Sequence, residues 1–459
     1  MDACSFETYI QQFDGHMKKY IPPSSTWSPV EEALFKPRDL FRVPLEEAQT
    51  LQLKAIRYAF NYQYTNNKMY HTFCKNHGVS PADITTSDDL KKIPLIPDKF
   101  FKDYPTGREF AVWLANIATG ELPHIVIPHQ SPSYDEVINA FNAAGMAVAY
   151  SSGTGGRHTF IPRDLRTFNL SEYAIAKAVI TMIHPLWDHD MSGYLLMPNP
   201  MKTNVFAGKV CGVYFDVIKD VRVAIDREIT TELIQMTMSG QRGVKAGVVK
   251  LAAKRATHSM IRDIIRWLEE HEKAEGKIAL VGAPYILSMV MHQLETEGRS
   301  FDFGDHGGVA TGGGWKFYED NRVPVAEFRK QVKKTLGIPD RFCLDIYGMV
   351  EGNGWMVHCP EGHYLHAPYT YYKPLVVDDD LKPLGYGEWG RFAFLDATAY
   401  SYPGFIVSGD RVRLLERCPV CDRPGPVLDP EIRRGEGEEI RGCGEEVRRM
   451  LSTDVNRGG

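Results

Sequence analysis

The chain has little cysteine for its length, no long apolar run and no concentration of charge of one sign. Each shortage removes a class of protein. Eight cysteines in 459 residues are too few and too scattered for a secreted disulfide scaffold, and a reducing cytoplasm fits them better. The longest uncharged apolar stretch, Ile278–Met291, contains Gly282 and Pro284 and is too short to span a bilayer. Its expected form is a buried strand over Ile278–Val281, a Gly-Ala-Pro turn and the start of a helix. The opening MDACSFETYIQQFDGH lacks the basic start and apolar core of a signal peptide. A net charge of −5, with no Lys/Arg cluster, argues against nucleic acid as a partner. Internal repeats and low-complexity tracts are absent as well.

What is present has the balance of a soluble globular protein, 43% hydrophobic and 24% charged. The length exceeds one ordinary core and calls for two or three packed subdomains. Residues 1–40 are Pro/Ser-rich and read as irregular. Pro44–Asn66 reads as a helix through Leu51, Leu53, Ile56 and Phe60, and a second helix surrounds Met69–His77. Thr86-Ser-Asp-Asp-Leu90 carries capping residues. From about residue 145 strands and helices alternate, as in an open, mostly parallel sheet. Within that stretch Asp164–Ile183 puts Phe168, Ile175, Val179 and Met182 on one helical face. Beyond Lys373 the pattern becomes β-like and glycine-rich, and the charged tail from Glu431 reads as one short helix and a frayed end. The expected division is a helical region over 1–90, an α/β core over 91–372, a β-rich subdomain over 373–432 and a short tail over 433–459.

The densest chemistry lies in Tyr150-Ser-Ser-Gly-Thr-Gly-Gly-Arg157. Such a loop turns backbone N–H groups and hydroxyls toward one point, which suits an anionic phosphate. It is not a Walker A loop, because no Lys-Ser or Lys-Thr follows. Cys418-Pro-Val-Cys421 is a C-x-x-C pair, with Cys359, His363 and His366 upstream as further ligand types. Two thiolates at that spacing suit one tetrahedral Zn²⁺, and a redox pair or two buried thiols are the alternatives.

Four segments in order, Ser151–Gly156, Gly312–Lys316, Tyr347–Glu351 and Ser408–Asp410, resemble the adenylate-forming superfamily of acyl-CoA synthetases. The closer likeness is to the phenylacetate-CoA ligase branch. Closest is the acyl-protein synthetase family of bacterial bioluminescence, through Ile161-Pro-Arg-Asp164, Gly312-Gly-Gly-Trp-Lys316 and Arg441-Gly-Cys443. Ile93-Pro-Leu-Ile-Pro97 followed by Phe101-Lys102 also fits, and the resemblance spans roughly 44–455.

The resemblance implies an α/β adenylate-forming domain of mostly parallel sheets with a small β-rich subdomain and the C-terminal lid largely absent. It implies attack of a carboxylate, fatty or aryl, on the α-phosphorus of ATP, then acyl transfer to a thiol. Ser151, Ser152, Gly153, Thr154, Gly155, Gly156 and Arg157 would hold the terminal phosphates, and Glu351 would hold Mg²⁺. Gly312, Gly313 and Gly314 with Tyr347, Gly348 and Met349 would form the adenine slot. Asp410 would bind the ribose, Arg423 would join the nucleotide set, and Lys316 would be the cation at the reacting centre. Cys359, His366, Cys418 and Cys421 match a structural zinc site of the phenylacetate branch, with His363 as the alternate nitrogen. Cys443 stands where the acyl-protein synthetases carry an acylated cysteine, and Arg441 would favour its thiolate. The acceptor is thus Cys443, a partner protein or coenzyme A, and a reductase is the expected partner. The rival readings are an acyl- or aryl-CoA or carrier-protein ligase, and a non-catalytic nucleotide-binding scaffold. The acyl pocket is expected near Phe206, Val213, Tyr214 and Phe215, with Trp315 and Met349 at its mouth.

Overall fold

The structure is a computed structural model and describes residues 5–152, 157–232, 234, 244–315 and 322–434. The strands in chain order begin with β1 (Ile96–Pro97) and a hairpin of β2 (Ala147–Tyr150) and β3 (Phe160–Arg163). Next come β4 (Ser192–Pro198), β5 (Asp220–Ile225), β6 (Ile278–Gly282), β7 (Gly307–Gly312) and β8 (Cys343–Tyr347). These five pair in parallel in the order β8-β7-β6-β4-β5. All of β6 and nearly all of β4 and β7 is buried, the pattern of parallel strands covered on both faces. The run Ile278–Gly282 is a strand, and the helix Pro284–Thr296 follows with Pro284 in its first turn, where a missing N–H does no harm.

β9 (Met356–His358) extends this sheet antiparallel to β8, and β10 (Leu365–His366) pairs antiparallel with β9. β11 (Tyr372–Val377), β12 (Trp389–Asp396) and β13 (Phe405–Leu415) form an antiparallel sheet. β13 is 11 residues long and belongs to both sheets: Phe405–Arg413 pair with β12, and Leu414 and Leu415 pair with β14 (Val427–Leu428), which reaches β10. β15 (Arg433–Arg434) and β1 lie along β13 as well.

The helix Leu165–Met182 corrects one expectation. Asp164 caps it, its side chain accepting from the Thr167 N–H at 2.7 Å. Every residue from Leu170 to Met182 is buried, however, rather than one face. The second cover is the N-terminal segment, which is not irregular: it holds the helices Phe6–His16 and Pro29–Phe35. Pro29 and Ser28 mark a helix start, with a Ser28–Glu31 capping box, so the Pro/Ser density here signals initiation rather than irregular chain. Lys177 is fully buried and hooks this segment, its Nζ donating to the Pro37 and Leu34 carbonyls at 2.7 and 3.3 Å. Burial pushes its amine down to about 8. The Tyr9 hydroxyl donates to the Ile180 carbonyl on the same helix.

Leu45–Asn66 and Lys68–Asn76 are the two expected helices. Thr86–Leu90 gives only a short 3₁₀ turn at Asp89–Lys92, because Asp89 takes the N–H and hydroxyl groups of Thr85 and Thr86 locally. Among the described residues no helix is long and apolar enough to cross a membrane. Residues beyond 434, with the expected tail helix, lie outside the described set.

Candidate active site

Neighbouring parallel strands β7 and β8 end side by side, Gly312 opposite Ile346, so their following loops share one cleft. Gly313 and Gly314 have φ of 78° and 68°, a left-handed backbone that favours glycine. A Cβ on Gly312 would stand 3.2 Å from the Ile346 carbonyl oxygen, so the flat slot between the loops needs glycine there too. Across the cleft, the Tyr347 hydroxyl donates to Asp410 Oδ2 at 2.7 Å. The adenine-slot candidates Gly312–Gly314 and Tyr347–Met349 and the ribose candidate Asp410 are therefore brought together.

β1 delivers two groups that the sequence reading gave no role. Its parallel pairing with Ile406 and Val407 sets Asp98 beside Gly409, whose Cβ would lie 3.8 Å from Asp98 Oδ2. One turn later Lys102 Nζ meets Asp98 Oδ2 at 2.5 Å. Although burial opposes its charge, Lys102 is held above the usual lysine range by Asp98, Glu351 and Asp410. Glu351 is 6% exposed, and its carboxyl is pushed up by burial and then by the Asp98 charge, with Lys102 opposing. The Lys102 ammonium thus sits under the influence of three carboxylates.

The Glu351 loop is fixed from beneath by Arg163, which is wholly buried. Its guanidinium donates to the Val350 carbonyl at 2.5 Å, the Gly352 carbonyl at 3.1 Å and Asn353 Oδ1 at 2.9 Å, and it lies 4.2 Å from the Phe206 ring centroid. Asp396 Oδ2 accepts from the N–H groups of Asn353 and Gly354 at 2.6 and 2.8 Å. The guanidinium thus ties the turn through two of its nitrogens, Nε and Nη2, while Nη1 is buried without a hydrogen-bond partner among the described residues.

The glycine loop joins β2 to β3 at the same end. The Ser151 hydroxyl accepts from the Thr159 N–H at 2.9 Å, and the Ser151 carbonyl accepts from His158 Nδ1 at 2.7 Å. Buried Thr159, two residues beyond Arg157, is near enough to Glu351 to oppose weakly the upward push of burial on that carboxyl. Ser152 is half-buried at the mouth; Gly153, Thr154, Gly155 and Gly156 lie outside the described residues, as do Lys316 and Cys443. Arg157 donates to the Lys102 carbonyl at 3.2 Å and faces Asp103 at 3.6 Å.

The second cluster is separate. Ligand atoms of Cys359, His366, Cys418 and Cys421 all lie within 4.8 Å of one another. Cys359 Sγ is 4.0 Å from Cys418 Sγ, close to the edge of about 3.8 Å that a tetrahedron of Zn–S bonds requires. Cys421 Sγ is 3.3 Å from His366 Nε2. The alternate ligand His363 is engaged elsewhere, its Nε2 against Asp340 Oδ2 at 2.7 Å. Arg423, expected at the nucleotide, is placed on this knuckle instead, its Nη1 on Glu361 Oε2 at 2.5 Å. The short Cys421-Asp-Arg423 spacing folds it back over the thiols. Phe215, expected in the acyl pocket, is 40% exposed, whereas Phe206, Val213 and Tyr214 are buried. Trp315 is buried against Phe328, and Met349 is half-buried.

Sequence reasoning passed over Asp98, Lys102, Thr159 and Arg163. Lys102 and Arg163 stand inside quoted motifs, and the only local signal was an Asp and a Lys four apart after Ile-Pro.

A family profile described as "Acyl-protein synthetase, LuxE" matches residues 251–452. A long-chain-fatty-acid–luciferin-component ligase of Vibrio harveyi is 25% identical over 405 residues, covering 87% of this chain and 88% of the relative. A ligase of the same name from Aliivibrio fischeri is 22% identical over 416 residues, covering 89% and 91%. In fold, the chain is similar to 2-hydroxyisobutyryl-CoA ligase in its open conformation. The TM-score is 0.59 at 13% identity, over 93% of this chain and 76% of that one. Fold, matched segment and near full-length relatives point the same way: the chain is similar in sequence to the acyl-protein synthetases and in fold to an acyl-CoA ligase.

Proposed function

We propose that the protein is an ATP-dependent ligase that activates a carboxylic acid as its acyl-adenylate and passes the acyl group to a thiol. The observation that carries this reading is the single cleft holding the glycine slot, Asp410, Glu351 and Lys102. The carboxylate oxygen of the acid bonds to the α-phosphorus, the bond from that phosphorus to the bridging oxygen breaks, and pyrophosphate leaves. A thiolate then bonds to the acyl carbon, and AMP departs with the electrons of the mixed anhydride. The first step brings an anion to a polyanion, so positioning and charge neutralisation are the main work.

In this reading Gly312–Gly314 and Tyr347–Met349 flank the adenine, and Asp410, already oriented by Tyr347, accepts from the ribose hydroxyls. Ser151–Gly156 hold the terminal phosphates with Arg157 at the rim. Lys102 serves as the described cation at the reacting centre, beside or in place of Lys316. Glu351 and neighbouring Asp98 offer hard oxygen to Mg²⁺, which, when bound, neutralises phosphate charge. Cys443 is the proposed thiol, with coenzyme A as the alternative that the fold similarity favours, and a reductase is the proposed receiver of the acyl group. The division at 90, 372 and 432 is retained as a working partition, although Cys359 and His366 bind across its second boundary. The thiol cluster is assigned a structural Zn²⁺, because its donor set and spacing fit four-coordination and its members are buried or half-buried.

Acid-dependent exchange of labelled pyrophosphate into ATP tests the reading. Exchange with some member of a panel of fatty and aromatic acids is expected, and none across the panel would reject it. Coupled assays with coenzyme A, and a hydroxylamine-labile label on Cys443, then separate the acceptors. For the knuckle, purified protein is expected to contain about one zinc per chain. Cys418→Ser should lose that zinc and melt at a clearly lower temperature; a zinc-free parent matched in stability by the variant would remove the assignment.

A further inference from the structure

His158 follows Arg157 directly and has none of the roles assigned above, yet it is only 3% exposed. Its ring packs against the last pair of the β2–β3 hairpin, 5.3 Å from the Tyr150 ring centroid and 5.7 Å from that of Phe160. That packing fixes the imidazole and sets Nδ1 2.7 Å from the Ser151 carbonyl oxygen. A carbonyl can only accept, so Nδ1 carries the proton. Burial pulls the ring below the usual histidine range, with the Ser151 carbonyl and the Asp135 charge opposing, so it is neutral near pH 7 and Nε2 is bare.

Ser151, where the phosphate loop begins, is held by the residues where it ends. Its N–H donates to the Thr159 carbonyl at 3.0 Å, and its hydroxyl accepts from the Thr159 N–H at 2.9 Å. With one lone pair so used, the hydroxyl keeps its own hydrogen to give elsewhere. The Ser151 carbonyl, a dipole that would repel a phosphate, is the group that His158 takes up. The main chain of His158 reaches in a further direction, its N–H donating to the Tyr104 hydroxyl at 3.3 Å. Tyr104 lies two residues beyond Lys102, and its ring is packed edge-on against Phe160 at 4.8 Å. One residue therefore joins the two ends of the loop to the arm that carries Lys102.

We propose that His158 is a positioning residue for the triphosphate: its Nδ1–H closes the neck of the Ser151–Gly156 loop, and its main chain fastens that neck to the Lys102 arm. The loop donors and the Lys102 ammonium then meet the phosphates as one preset frame, instead of being arranged anew as each ATP arrives. The requirement is for a donor at Nδ1, not for a charge and not for a proton to be moved. This inference rests on the acid activation proposed above.

The test is pyrophosphate exchange by the full-length protein, with whichever acid the parent accepts, in His158→Leu, His158→Gln and His158→Asn. Asn places its amide N–H where Nδ1 stands, whereas Gln places it nearer to Nε2. The Leu and Gln variants are expected to raise KM for ATP by about tenfold, the scale of one hydrogen bond, and to leave KM for the acid within about twofold. His158→Asn should stay within about threefold of the parent for both. Nitrogen-15 NMR of histidine-labelled parent should show His158 protonated on Nδ1 and bare on Nε2, its signals identified by their loss in His158→Asn. Asn and Gln variants that behave alike, an unchanged Leu variant, a KM for the acid that rises with that for ATP, or a bare Nδ1 would each overturn the inference and leave the ligase assignment standing. If His158→Leu does not fold, the Asn–Gln comparison and the spectrum decide. Absence of exchange in the parent with every acid would instead sink that assignment, and this one with it.

Discussion

Replacing Lys102 by Met is expected to lower acid-dependent pyrophosphate exchange by about a hundredfold to a thousandfold, the scale lost when one charge-stabilising group leaves an active site. The physical reason lies in what remains. Asp98, Glu351 and Asp410 all act on the Lys102 ammonium, which is held charged by them despite its burial. Without it, three carboxylates meet the triphosphate and an incoming carboxylate with one fewer cation between them. The loss should appear in kcat as well as in KM for ATP, because charge is transferred toward pyrophosphate in the step itself. Lys102→Arg keeps the charge and should recover part of the rate. Glu351→Gln should show a loss of similar size, with a raised requirement for Mg²⁺. Exchange within threefold of the parent in Lys102→Met would mean that the lysine merely balances Asp98.

The second large effect concerns stability. Arg163→Met is expected to destabilise the protein by about 2–4 kcal/mol, because each buried acceptor left without its donor costs about 1–3 kcal/mol. Its guanidinium joins Val350, Gly352 and Asn353 of the Glu351 loop to Tyr402 in the turn between β12 and β13. Removal leaves two carbonyl oxygens without those donors in a region closed to water. Urea unfolding followed by tryptophan fluorescence measures this directly, and a change below about 1 kcal/mol would show that the loop has other sufficient support. Arg163→Lys keeps a cation but not the fork, so it should restore only part of the loss.

Much of the architecture was readable because local pattern and final environment coincide. Ile278–Gly282 is apolar throughout and ends up covered on both faces, and Leu45–Asn66 shows its helical period without interruption. The reading failed where one segment shields another. Leu165–Met182 looks one-sided in sequence, yet Lys177 and Tyr173 on its outer side are buried by residues more than 130 positions earlier, a contact no short-range period encodes. The site divides similarly. Gly312 and Tyr347 end β7 and β8, Glu351 follows in the next loop and Asp410 lies within β13; the family resemblance rather than local pattern singled them out. Asp98 and Lys102 were missed, because they reach the cleft only through the pairing of two-residue β1 with β13. Arg423 was misplaced for the opposite reason: its neighbouring cysteines, rather than the nucleotide site, decide its direction.

β13 is a continuous strand that carries Asp410 at the cleft and, a few residues later, pairs with β14 in the sheet that also holds His366 of the thiol cluster. No hinge separates the two regions along that path. A change of volume or charge at the sulfur atoms would therefore be only a few peptide units of one strand away from Asp410.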